Sequence, residues 1–173
     1  MFLKWGSQPW MIWRSHWRNR QMLGGRRVTF AILTAMGLFA AIPYTLINRF
    51  ASIRDWAAFD PTLQLDIDIP FLAWMILPYM TLYLYYPVAA WLGSKNEIMW
   101  RQNIVFHQMM LLTCWGVNLI FILLPVEIDL RHLIHGIEGT MWEPFYASMH
   151  AIDTPWNSWP SLHIVQSMQV VFV

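Results

Sequence analysis

The run VTFAILTAMGLFAAIPYTLI, Val28 to Ile47, decides the fold. It carries no charge, and about 20 residues rising 1.5 Å each cover a hydrocarbon core of ~30 Å. A cleavable signal peptide is the alternative. The long Trp-rich stretch before it and the length of the run point instead to a membrane-spanning helix.

Working outward, the composition agrees. The 173 residues are 57% apolar and only 12% charged, where a soluble domain is nearer a quarter charged. Two further runs have spanning length, residues 69–92 and 103–125, and a fourth starts at Ile164 and reaches Val173. The second run carries Pro70, Pro78 and Pro87, which membrane helices tolerate when neighbours satisfy the freed carbonyls. The third carries His107, Gln108, Thr113 and Asn118, polar groups that should face a bundle interior or a cavity. His107 is open between an interhelical hydrogen bond and a functional role. Cys114, the one cysteine, reads as a small buried apolar residue. The expected fold class is all-α: a multi-pass transmembrane bundle of three full spans plus the start of a fourth. Ten residues of helix rise only ~15 Å, so open carbonyls would lie in mid-membrane at a cost. The expectation is therefore a piece of a longer chain.

Residues 1–27 hold Lys4, Arg14, Arg18, Arg20, Arg26 and Arg27 with no acid. Trp10, Trp13 and Trp17 recur at helical spacing. Tryptophan beside arginine at the edge of a span reads as a helix lying on an anionic leaflet rather than as a nucleic-acid arm. The leader and the turn at 93–102 together carry eight Lys and Arg, against three in residues 48–68 and 126–163. The positive-inside rule then places the leader in the cytoplasm and residues 126–163 outside. The expected domains are a cytoplasmic interfacial segment, 1–27, and a membrane domain, 28–173.

The loops offer few alternatives. Asp66 and Asp68 read as solvated, with turn chemistry at Asp60-Pro61. His132, His135 and Glu138 would share one face of a helix, as metal ligands do, but no fourth ligand stands at a fixed spacing. No metal and no cofactor is expected, and those residues read as an interfacial helix with a polar face.

The chemistry concentrates in Trp156-Asn157-Ser158-Trp159-Pro160-Ser161-Leu162-His163. This polar loop opens directly into the fourth apolar run. The first turn of a helix leaves N–H groups unpaired and carries the positive dipole end, a seat for phosphate. Ser161 adds a hydroxyl there, and His163 a group that gives or takes a proton near neutral pH. The plain alternative is that Ser161 only caps its helix.

Pro160-Ser161-Leu162-His163 resembles the second signature of the type-2 phosphatidic acid phosphatase superfamily. It matches the Pro-Ser-Leu-His branch, which includes inositol-phosphorylceramide-synthase-like proteins. A looser likeness lies in Asp68-Ile69-Pro70-Phe71 with Tyr79 and Tyr83. The likeness covers roughly residues 66–173. It implies that Ser161, with the backbone around Leu162, holds a phosphate and that His163 protonates the leaving alcohol. The site would face the outer leaflet at the mouth of a helical bundle, the side that the charge rule gives independently. The family's first signature, Lys then six residues then Arg-Pro, has only its proline here, in 118–125. Arg131 is the one nearby cation that could neutralise the phosphate. The third signature, which holds the nucleophilic histidine, does not occur in the sequence. The expected function is a lipid-phosphate phosphatase or phospho-alcohol transferase, with lipid phosphate and the bilayer as partners and no nucleic acid. The 173 residues alone are expected to lack turnover. A non-catalytic structural or scaffolding membrane protein is the alternative. A channel or transporter is disfavoured by the lack of an intramembrane charge pair.

Overall fold

A computed structural model of the chain describes residues 7–54 and 56–171. Lys4, Asp55 and residues 172–173 lie outside them. The described residues are helical and contain no strand. Five helices organise them: α1, Arg27–Ile53; α2, Ile76–Leu92; α3, Glu97–Leu123; α4, Glu143–Ile152; and α5, Leu162–Val171.

Two of these, α1 and α3, are long and apolar enough to cross a bilayer. Both exceed the sequence expectation. Helix α1 runs on through Asn48 and Arg49 to Ile53, so the loop expected from residue 48 begins six residues later. Helix α3 starts at Glu97 because the Asn96 side chain accepts the Met99 amide at 2.9 Å, an N-cap inside the expected turn. The turn between α2 and α3 is thus only residues 93–96.

Helix α2 is shorter than expected. Its 17 residues rise about 26 Å, less than a core of ~30 Å. Pro70 has no amide to donate and disfavours helix in the residue before it, so residues 69–72 stay non-helical. Pro78 is accepted as the third residue of α2, close behind the 3-10 turn Ala73–Met75 that leads into it.

Helix α3 is the axis of the molecule. Trp100, Ile104, His107, Leu111, Cys114, Asn118 and Phe121 repeat at spacings of three and four and are all buried, the stripe that a central helix requires. Val28, Ile32, Met36 and Ala40, every fourth residue of α1, pack on it, with Ala90 of α2 and Leu162 of α5. Helix α1 takes a π turn over Gly37–Ala41. Pro43 follows within it and cannot donate to the carbonyl four residues back, which accounts for the local widening.

The polar residues of α3 do face inward: His107, Gln108 and Asn118 are each at most 1% exposed. The His107 Nδ1 meets the Asn103 carbonyl of its own helix at 2.9 Å, and the ring also faces the Tyr86 backbone of α2. Cys114 is buried, as expected.

The leader is not one helix. It forms the short pieces Met11–Trp13, Arg14–Arg18 and Met22–Gly25, with Leu23 and Gly24 in the left-handed region. Trp13 is buried in the main core, and Trp10 and Trp17 pack against it. Gln108 receives the Trp10 amide at 3.2 Å and donates to the Gln8 carbonyl at 2.7 Å, so the leader is wedged into the base of the bundle.

Hydrogen bonds sort the connections into two ends. At one, Arg20 pairs with Glu97, Arg26 donates to the Trp91 carbonyl, and the Thr29 and Ser94 hydroxyls meet. At the other, the Arg54 guanidinium donates to the carbonyls of Phe121 and Ile122 at 2.9 and 2.6 Å, closing the end of α3. The leader and the 93–96 turn therefore share one end of the bundle. Residues 56–63 and 124–161 gather at the other, tied by Phe59 to Pro125 and by Ile128 to Pro155.

Candidate functional site

Helix α5 begins where the second end of the bundle turns back toward its middle. Ser161 stands immediately before it. Its hydroxyl accepts the Ile164 amide at a long 3.4 Å, and its carbonyl accepts the Val165 amide at 3.1 Å. The hydroxyl therefore serves as a weak cap of its own helix. Leu162 is buried against the main core and fixes the helix start.

The start of α5 gives three side chains separate tasks. Leu162 anchors, His163 projects toward α2, and Gln166 meets the Tyr86 hydroxyl. Lower down, Gln169 donates to Thr113 of α3. The His163 ring lies against Tyr79 and Tyr83, with centroids 5.1 and 5.9 Å away. These two tyrosines sit one helical turn apart on α2 and belong to the stretch that carries the looser family likeness. They close the side of the imidazole that faces α2.

His163 lines a cavity of about 360 Å3 between α1, α2, α3 and α5. Its walls are largely apolar, including Met36, Leu82, Cys114 and Leu162. Its polar end is Asp153, with Tyr44. The Asp153 carboxylate accepts the Tyr44 hydroxyl and the Asn48 amide, both at 2.9 Å. Thr154 closes the triangle on Asn48. Asp153 is the charged neighbour of His163.

Arg131 reaches this corner from the opposite loop. Its guanidinium donates to the Asp153 carbonyl at 2.5 Å, and its amide is held by Asp129 at 3.0 Å. Among the described residues the guanidinium makes no ion pair. Arg131 also repels a proton on His150, whose pKa is lowered first by burial and then by that arginine, with Asp129 and Asp153 opposing.

The structure thus brings Leu162 and His163 onto one cavity, whose lining does not include Ser161, the residue just before them. It holds Arg131 one residue's backbone away, through Asp153. Asp153, Tyr44 and Asn48 were not legible as site residues. The available signal was Tyr44 and Asn48 themselves, polar groups four apart near the end of the first apolar run. Asn157, in the loop before Ser161, is 7% exposed, and neither polar atom of its side chain has a partner among the described residues.

His132 and His135 lie elsewhere. Residues 131–133 form a single 3-10 turn, and each imidazole bonds a nearby carbonyl. The expected polar-faced helix over 132–138 is absent, because Gly136 takes a positive φ that ends any helix there. No cluster of His, Cys, Asp or Glu suited to a metal occurs among the described residues. Asp60 turns its chain as expected by accepting the Thr62 amide at 2.9 Å.

Set against family models, curated proteins and solved structures, the chain matches none, so the site is read from its own geometry and chemistry.

Proposed function

We propose that the chain carries the phosphate seat and proton donor of a membrane lipid-phosphate phosphatase or phospho-alcohol transferase, working at the outer leaflet. One observation carries the reading: His163, in the first turn of α5, faces an apolar-walled cavity whose polar end holds Asp153, with Arg131 beside it. An acyl tail suits the walls. A phosphate suits the amides that open α5, where the helix dipole is positive.

The multi-pass arrangement belongs to the same proposal. Two helices have spanning length, and α2 and α5 would complete the bundle. Large exposed apolar side chains along α1, α2 and α3, such as Phe39, Leu84 and Leu119, support immersion in lipid.

The reaction sets the roles. A nucleophile attacks phosphorus, the bond to the lipid alkoxide breaks, and that oxygen takes the bonding pair and the His163 proton. Charge grows on the phosphate oxygens in the transition state, where fixed N–H groups and Arg131 act. Asp153 offsets part of the cost that burial places on the imidazolium form. The nucleophile would be the histidine of the family's third signature, which residues 1–173 do not contain. The expected property of the 173-residue chain is therefore binding without turnover.

The test uses the chain in nanodiscs. Phosphatidic acid, a monoester, should bind more tightly than phosphatidylcholine. Arg131→Ala and His163→Ala should each weaken that preference. Equal binding of both lipids, or both variants matching wild type, would favour the non-catalytic structural role, with Ser161 serving only as a helix cap.

A further inference from the structure

A second cavity lies at the opposite end of the bundle. It is a groove of about 600 Å3 between the leader, α1 and α3. Its α1 residues run from Arg27 to Phe39, about 18 Å along the helix. That matches the depth of one leaflet of a ~30 Å core. Phe30, Leu38, Leu112 and Trp115 make its walls apolar.

One end of the groove is basic. His16 and Arg27 line it, and the buried His16 Nδ1 and Arg27 Nε have no partner among the described residues. Helix α1 starts at Arg27 with no acid in its first turn, so its positive dipole end points to the same place. Trp10 and Trp13 are shared with a neighbouring groove, also of about 600 Å3, that Arg14, Arg18 and Arg101 line. Among the described residues no carboxylate lines either groove. The ion pair found among the described residues, Arg20 with Glu97, leaves these cations uncompensated.

We infer that this groove is a binding site for one anionic phospholipid, with its phosphate at His16 and Arg27 and one acyl chain along α1. The charge complementarity selects the occupant. A zwitterionic lipid brings a cation toward the arginines, whereas an anionic diester lipid brings none. The inference is independent of the lipid-phosphate reading of His163. The leader then does more than rest on a leaflet: it forms one wall of the site and holds Trp13 in the core.

The experiment takes the purified chain in neutral detergent and counts retained lipids by native mass spectrometry. Dioleoyl phosphatidylglycerol should be retained, one per chain, at about tenfold lower concentration than dioleoyl phosphatidylcholine. The double variant His16→Gln, Arg27→Gln should lose that preference. Thr34→Trp, which fills the groove from an exposed position, should abolish retention of both lipids while leaving the basic end intact. Glycerol phosphate, which has no tail, should not displace the lipid. His163→Ala and Arg131→Ala should keep the preference. Equal retention of the two lipids by wild type overturns the inference, as does full preference in the double variant or in Thr34→Trp. So does displacement by glycerol phosphate. Loss of preference in His163→Ala would place the lipid in the other cavity and overturn it too.

Discussion

Ser161 has one hydroxyl and two possible partners, the Ile164 amide and a phosphate oxygen. At 3.4 Å the first bond is long, so a phosphate at the helix start competes with a weak rival. Ser161→Ala should cost ~1 kcal/mol of stability as a lost cap and a further ~1.5–3 kcal/mol of lipid-phosphate binding. Thermal unfolding and a binding isotherm on the same variant separate the two. A stability loss with unchanged binding reduces Ser161 to a cap. In an enzyme that supplies the nucleophile, His163→Ala should lower kcat by ~10²–10⁴-fold, the usual contribution of a positioned proton donor. A His163→Ala enzyme with wild-type kcat would end the assignment.

His150 gives the residue scale a pH dependence. Its folded pKa lies below the usual 6.5 because burial and Arg131 disfavour the charged ring. A depressed histidine pKa means that the unfolded chain binds the proton more readily. The contribution to stability is thus complete above pH 6.5 and is lost as pH falls through the folded pKa. Melting temperature should decline on acidification from pH 7 toward pH 5, and His150→Gln should flatten that decline. An identical slope in the variant would show that another group controls it.

At the scale of elements, the α2–α3 turn has the tightest tolerance. A Cβ on Gly93 would stand 2.7 Å from Asn103 Cγ and 3.0 Å from the Ala89 carbonyl. Asn103 cannot yield freely, because its amide holds the Ala90 carbonyl at 2.9 Å. Gly93→Ala should therefore destabilise by about 1–3 kcal/mol, the range for overpacking. Gly116→Ala, in the interior of α3 with nothing within 4 Å, should be neutral or stabilising by up to ~1 kcal/mol. Thermal unfolding of the pair in detergent reads the contrast, and equal melting temperatures would contradict the close approach.

Much of the architecture at this scale was legible. The uncharged run at 28–47 announced α1, and inward polar groups on α3 followed from His107, Gln108 and Asn118. Boundaries were less legible, since they depend on single side chains. Asn96 adds a first turn to α3, and Arg54 closes that helix from another element 68 positions away. Window composition carries neither effect. The candidate site was half legible. Its helix-start residues form a contiguous motif, whereas Asp153, Tyr44 and Asn48 meet only through folding. The leader departs from a helix lying flat on a leaflet: helical spacing of its tryptophans is real, but Trp13 packs into the main core, and the left-handed Leu23 and Gly24 separate this stretch from α1.

For the whole molecule, the two-ended sorting of hydrogen bonds supports a topology test. The end built from the leader and the 93–96 turn carries most of the cations, so it should face the cytoplasm. Reporter fusions at Ser94 should score inside and at Glu143 outside. A cytoplasmic signal at Glu143 would remove both the orientation and the outer-leaflet placement of His163.

The latch made by Arg54 also has a consequence for biosynthesis. Its carbonyl partners on α3 are translated 67 and 68 residues after it. At 5–20 residues per second, ribosomes need roughly 3 to 14 s to supply them. Throughout that interval Arg54 lacks these carbonyl partners, and the stripe of Val28, Ile32 and Met36 lacks the neighbour that it will cover. If α1 spans the membrane as proposed, its insertion and its docking on α3 are separate events in time.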